Sequence, residues 1–170
     1  MPHTSPVDRD YDLWVLLNQA QNLMINARDI ELAEYGTTAM QAAVLFITNA
    51  IGDETIPAEI ARWLLRKPAT ISSLLDRMEK AGLVERARDL PKKNVVRIRL
   101  TEKGKQAYKQ SLKRESLHKI MSCLSEEEHQ QLASILVKLR NRATEVLKHR
   151  KEIPFPEVAT TPGSKSKRQL

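Results

Sequence analysis

Between residues 10 and 35 the apolar side chains recur at three- and four-residue steps: Leu13, Leu16, Leu17, Ala20, Leu23, Met24, Ala27 and Ile30. That spacing predicts a long amphipathic helix, which Gly36 ends. Thr38-Ala39-Met40-Gln41 has the form of a capping box, in which the threonine and glutamine each satisfy a free backbone N–H. The second helix it opens runs to about Ala50 and breaks at Ile51-Gly52-Asp53. Pro57 suits the first turn of a short third helix, where its missing N–H costs nothing, and Ile60, Ala61, Leu64 and Leu65 mark the buried side. Pro68 opens a fourth helix in the same way. Ile71, Leu74, Leu75 and Met78 form its apolar stripe, and Gly82 stops it.

The period then changes from helical to two. Val84, Arg86 and Arg88 alternate against Leu83, Glu85 and Ala87; beyond Asp89–Asn94, Val96, Ile98 and Leu100 alternate with Val95, Arg97 and Arg99. Two such runs joined by a short polar loop predict a β-hairpin. Thr101 caps a fifth helix, with Glu102 in its first turn, and the pattern carries that helix to about Leu124. Ser125–Glu128 is a second capping box, followed by Leu132, Ile135, Leu136, Leu139, Ala143, Val146 and Leu147 along a sixth helix. From Lys151 the pattern dissolves into a tail rich in Pro, Ser and Thr with a basic end, which is expected to be a flexible basic tail over 151–170. The prediction is a mainly α fold of six helices with a small β-hairpin between the fourth and fifth.

Charge adds a direction to this pattern. Residues 1–61 carry 2 Lys+Arg against 9 Asp+Glu, whereas residues 62–105 carry 13 against 5 and residues 106–170 carry 13 against 7. Positive charge therefore begins at Arg62, where the third helix gives way to the fourth helix and hairpin, and points to a polyanionic partner. Aromatic residues are only 4% of the 170, so Leu, Ile, Val, Ala and Met must fill the core. No apolar run approaches the roughly 18 residues of a membrane span, and the start of the chain lacks the pattern of a secretory signal. A single cysteine excludes an intrachain disulfide framework and fits a cytoplasmic protein.

Two short helices, 57–65 and 68–81, followed at once by a basic hairpin, have the size and order of a winged helix-turn-helix. The second helix can enter the major groove, and the hairpin loop can carry Lys92 and Lys93 to phosphates or the minor groove. Gly82 is then the joint between reader and wing. The run KPATISSLLDRMEKAGLVERARDLPKKNVVRIRLTEKGKQ, residues 67–106, resembles the winged helix-turn-helix of MarR-type transcriptional regulators. The matching parts are LLDRMEKAGLVER, the Arg88-Asp89 pair and LTEKG at residues 100–104. The helix order extends the resemblance over about residues 8–150. It implies a homodimer on a pseudo-palindromic operator in double-stranded DNA, with a helical dimerisation region at 8–35 and 104–150 flanking a winged DNA-binding domain at 36–103. It also implies a repressor of a nearby operon, relieved by a small aromatic effector.

The residues expected at DNA are Thr38, Gln41, Lys67, Thr70, Ser72, Ser73, Arg77, Arg88, Lys92, Lys93 and Arg97. Those expected at the dimer interface are Leu13, Leu16, Leu17, Leu132, Leu136, Leu139 and Val146. Asp76 and Arg77 could also pair with neighbouring charges and orient the helix. The wing departs from the frequent family pattern: Lys92 replaces an aspartate and Lys93 an arginine, and Ser73 stands where an arginine is common. Lysine offers no planar fork, so reading through the wing should weaken while phosphate attraction survives. His118, Cys123, Glu126 and His129 match no zinc spacing, and Cys123 reads as a plain buried or interface thiol. No nucleophile motif points to an enzyme, and no cofactor is expected. The competing reading is an architectural or adaptor winged-helix protein without an effector.

Overall fold

The apolar stripes of four consecutive helices and of both strands meet in one core, and the rest of the chain is arranged around it. The computed structural model describes residues 8–87 and 96–147. Along the chain lie α1 (Arg9–Ala33), α2 (Ala39–Ile51), a 3-10 turn (Gly52–Glu54), α3 (Pro57–Leu64), α4 (Pro68–Lys80), β1 (Val84–Ala87), β2 (Arg97–Leu100), α5 (Glu102–Ser111), α6 (Glu115–Met121) and α7 (Glu126–Val146). The core takes Val44, Leu45 and Ile47 from α2, Ile60 from α3, the four stripe residues of α4, then Val84, Ile98 and Ala107. The strands pair antiparallel from Val84 opposite Leu100 to Ala87 opposite Arg97. On the other side of β2 the Ile98 N–H donates to the Thr55 carbonyl at 2.8 Å, so the segment after the 3-10 turn lies along the hairpin.

Both expected capping boxes form, at Thr38–Gln41 and at Ser125–Glu128. Pro57 and Pro68 both stand at the first turn of their helices. α4 ends as expected. Gly82 adopts φ +70°, its N–H donates to the Glu79 carbonyl, and the Leu83 N–H reaches back to the Met78 carbonyl, each at 2.9 Å. This is a Schellman motif with its apolar contact between two buried side chains, Leu83 and Met78. Gly104 closes the same joint from α5. A Cβ there would stand 1.9 Å from the Leu83 carbonyl oxygen, so α5 can approach this turn only through a glycine.

The single fifth helix expected over 101–124 is divided. α5 stops at Ser111, and the chain turns through Arg114 at φ +52° before α6 begins. Seven helices are therefore described rather than six. No side chain in that turn caps α6; the cap arrives from α1. The Glu31 carboxylate accepts the backbone N–H groups of Glu115 and Ser116 at 3.0 and 3.1 Å, and the Ser116 hydroxyl as well. Buried Arg28 pairs with Glu31 at 2.6 Å and donates to the Ser111 carbonyl at the end of α5. Asp29 accepts the Ala39 N–H at 2.6 Å, at the start of α2. α1 thus holds three helix ends with the charge that each helix dipole favours.

Much of the apolar surface of α1 and of α7 is left open by this chain. Only Arg28 and Leu32 of α1 are buried, and neither belongs to the predicted stripe; α7 buries no residue. Cys123, in the turn before α7, is exposed here rather than buried. The expected tail lies outside the described residues.

Two outcomes test these contacts. Gly→Ala in a helix ordinarily stabilises by up to about 1 kcal/mol, but Gly104→Ala should destabilise by about 3 kcal/mol because backbone must move; a chemical melt of equal or greater stability would exclude the close approach. Burial alone would raise the Glu31 pKa, but hydrogen bonds from Arg28, Ser116 and the Glu115 and Ser116 N–H groups outweigh it and lower it from 4.5 to about 2. A depressed carboxylate stabilises fully above its unfolded value and loses that contribution as pH falls through its folded one. Glu31→Gln should therefore cost about 3 kcal/mol at pH 7. The gap between wild type and variant should shrink from pH 4.5 towards about 2 in denaturant titrations at fixed protein concentration.

Candidate nucleic-acid interface

The connection between α3 and α4 is short and closed by backbone. Leu65 takes φ +50°, and the Arg66 N–H returns to the Ala61 carbonyl at 3.0 Å, folding the chain sharply. Lys67 and Pro68 then launch α4, whose first turn holds no acidic residue. The positive end of its dipole is left available to an anion. One face of α4 is fixed in the core by Ile71, Leu74, Leu75 and Met78. The opposite face presents Thr70, Ser72, Ser73, Asp76, Arg77 and Lys80, all exposed. Arg77 Nε lies 3.4 Å from the Ser73 carbonyl of its own helix, and no carboxylate partner is described for it. Lys67, Thr70, Ser72, Ser73 and Arg77 are thus brought onto one element.

The other expected contacts are placed differently. Thr38 and Gln41 stand at the start of α2, where their side chains serve the capping box at 3.3 and 3.0 Å. Arg97 is largely covered, its side chain 15% exposed, and pairs with Glu54 at 3.2 Å; Arg99 lies 3.7 Å from Asp53. Both arginines of β2 are therefore turned to the 3-10 turn. Arg88, Lys92 and Lys93 lie outside the described residues.

One arginine at this interface escaped the sequence reading. Arg86, on β1, donates from Nη2 to Asp76 at 2.6 Å and from Nη1 to Glu79 at 2.7 Å, so it spans two carboxylates of α4. Its pKa is raised, chiefly by the hydrogen bond to Asp76. An acid pair at i and i+3, followed by a glycine stop and an arginine on the returning strand, was the available signal. The end of α4 is also served by α5: Thr101 Oγ1 donates to the Gly82 carbonyl at 2.5 Å, and Lys103 Nζ to the Ala81 carbonyl at 2.8 Å. A cation at a helix C-terminus is favoured by its dipole. The result is α4, a seated hairpin root and a following helix locked around one turn.

A sequence profile described as the MarR family matches residues 35–92, which span α2, both helices of the helix-turn-helix and the first strand. The organohalide-sensing regulator RdhR, in its 2,4-dichlorophenol-bound form, superposes with a TM-score of 0.81 at 29% identity, over 93% of this chain and 99% of that one. Residues 35–92 thus match the MarR family, and the chain over most of its length is similar to regulators of that kind. The Bacillus subtilis (strain 168) HTH-type transcriptional repressor MdtR is 27% identical over 138 residues, 80% of this chain and 86% of the relative. The S. aureus MepR protein, solved in complex with DNA, matches with a TM-score of 0.69 at 27% identity, over 75% of this chain and 96% of that one. By these likenesses the chain is a DNA-binding transcriptional regulator and not an enzyme. None of its described helices is long and apolar enough to cross a membrane.

Proposed function

We propose that this MarR-like regulator acts in the cytoplasm as a homodimeric repressor of a nearby operon. Its α4 reads a pseudo-palindromic operator, and a small aromatic effector relieves repression. The observation that carries the DNA reading is the outward face of α4, where exposed hydroxyls and Arg77 stand opposite a fully buried apolar stripe. Lys67, Thr70, Ser72, Ser73 and Arg77 are the proposed contacts on that helix; Thr38 and Gln41, with Arg88, Lys92 and Lys93, are proposed to meet phosphates around it. Arg97 is reassigned to holding β2 through Glu54. The aromatic class of effector is supported by the 2,4-dichlorophenol bound to the related RdhR.

The dimer reading rests on exposed apolar side chains at the two ends of the chain. Leu13, Leu16, Leu23 and Ile30 of α1 and Ile135, Leu136, Leu139 and Val146 of α7 are between 43% and 77% exposed. Such area left to water is unfavourable at about 25 cal/mol per Å², and a second copy supplies the same two helices as cover. Residues 8–35 and 104–150 form the proposed dimerisation region, 36–103 the DNA-binding domain, and 151–170 a basic tail.

Sedimentation at micromolar concentration should show a dimer, and Leu136→Glu should shift it to monomer; a well-folded wild-type monomer would exclude the interface. In salt-titrated binding to an operator and a scrambled duplex, Arg77→Ala should lose about 1–3 kcal/mol on the operator and discriminate less. Lys92→Ala with Lys93→Ala should weaken both duplexes alike and lower the salt slope by about one per lost phosphate contact. The reverse pattern would exchange the two roles. Equal affinity of the wild type for both duplexes would favour an architectural protein.

A further inference from the structure

We propose that Arg86 is a positioning residue for operator recognition: its fork between Asp76 and Glu79 fixes the root of the hairpin to the outward edge of α4. This rests on the reading of α4 as the DNA-reading helix. Asp76 is exposed on the same face as Ser72, Ser73 and Arg77, and Glu79 stands one turn further on at the edge of that face. Two carboxylates there repel a polyanion, so on charge alone they are a liability for a DNA-binding helix. Their geometry gives them another use. Each accepts from a different terminal nitrogen of one guanidinium, at 2.6 and 2.7 Å, and that guanidinium belongs to the first strand of the wing. A planar fork with one carboxylate on each nitrogen sets direction as well as distance, which a single ammonium cannot do.

The rest of the hairpin root explains why such a fixing point is needed. The strands as described are four residues each, and a two-stranded ribbon of that length is marginal by itself. β2 is held from the other side by Ile98 on the Thr55 carbonyl and by Arg97 on Glu54. β1 has the Arg86 fork as its polar tie to α4, ten residues from Asp76 in sequence and across the Gly82 turn. Without it β1 keeps its apolar anchor at Val84 but loses its tie to the outward edge of α4, and the angle between reader and wing is less tightly set.

The two explanations of the acid pair give opposite signs. If Asp76 is merely a surface charge, Asp76→Asn removes a repulsion and strengthens binding to every duplex. If it positions the wing through Arg86, Asp76→Asn weakens the operator complex by about threefold while binding to random duplex is unchanged or stronger. Arg86→Lys keeps the charge and loses the fork, so it should lower operator affinity by about fivefold with random-duplex affinity held. Glu79→Gln should act in the same direction as Asp76→Asn. The experiment uses the full chain, a duplex selected by the wild-type protein from a randomised pool, and a scrambled duplex at the same salt. Melting temperature and dimer state are measured for each variant. A fall in the operator-to-random ratio for Asp76→Asn and Arg86→Lys, with fold and dimer intact, supports the positioning role. An unchanged ratio in both, or a uniform gain for Asp76→Asn, overturns it while leaving the regulator reading in place. A wild type that selects no duplex overturns the regulator reading and this inference together.

Discussion

Arg28, Asp29 and Glu31 lie within one turn of α1 and hold the ends of three other helices. Each contact answers a requirement of helix geometry: free N–H groups at the start of α2 and of α6 receive carboxylates, and a free carbonyl at the end of α5 receives a guanidinium. The ion pair between Arg28 and Glu31 offsets the burial of both charges. The consequence reaches beyond local stability. α1 is the helix whose apolar surface this chain leaves open, and α2 and α5 belong to the core that carries α4. The proposed dimer surface and the proposed DNA-reading element therefore share one polar knot. A displacement of α1 must either carry these helix ends along or leave backbone groups without partners, the buried Ser111 carbonyl among them.

The second centre is the turn at Gly82, built almost wholly from backbone. The Schellman bonds, the Thr101 hydroxyl on the Gly82 carbonyl, the Thr101 N–H on the Leu83 carbonyl and the bare Cα of Gly104 all converge there. Main-chain contacts of this kind fix geometry without specifying neighbouring side chains. They explain how a helix, a strand and the next helix meet within a few residues.

The helix stripes, the caps at Thr38, Thr101 and Ser125, both prolines and the Gly82 stop were legible because each is a local pattern. The division of the fifth helix was not, because the break at Arg114 has neither glycine nor proline and its cap comes from Glu31, more than eighty residues away. Gly104 was legible as part of a family motif, but its reason is the Leu83 carbonyl, a contact across the fold. On the candidate site, the polar face of α4 followed directly from helical periodicity. Arg97 looked equally suited to DNA, since strand alternation places it opposite Val96 and the core residue Ile98. What it cannot show is Glu54, brought alongside β2 by the pairing of Thr55 with Ile98. Charge patterns reveal which residues are cationic; only packing reveals which of them are already occupied.

The division of labour along α4 also bears on how such a protein could be given a new target. Its inward residues and the Gly82 turn carry the architecture, and its first turn owes nothing to side-chain capping. Positions 69, 70, 72, 73 and 77 can be varied together without touching a buried side chain or a described ion pair. A library confined to those five positions, with 76, 79 and 86 held constant, would explore operator preference on an unchanged scaffold.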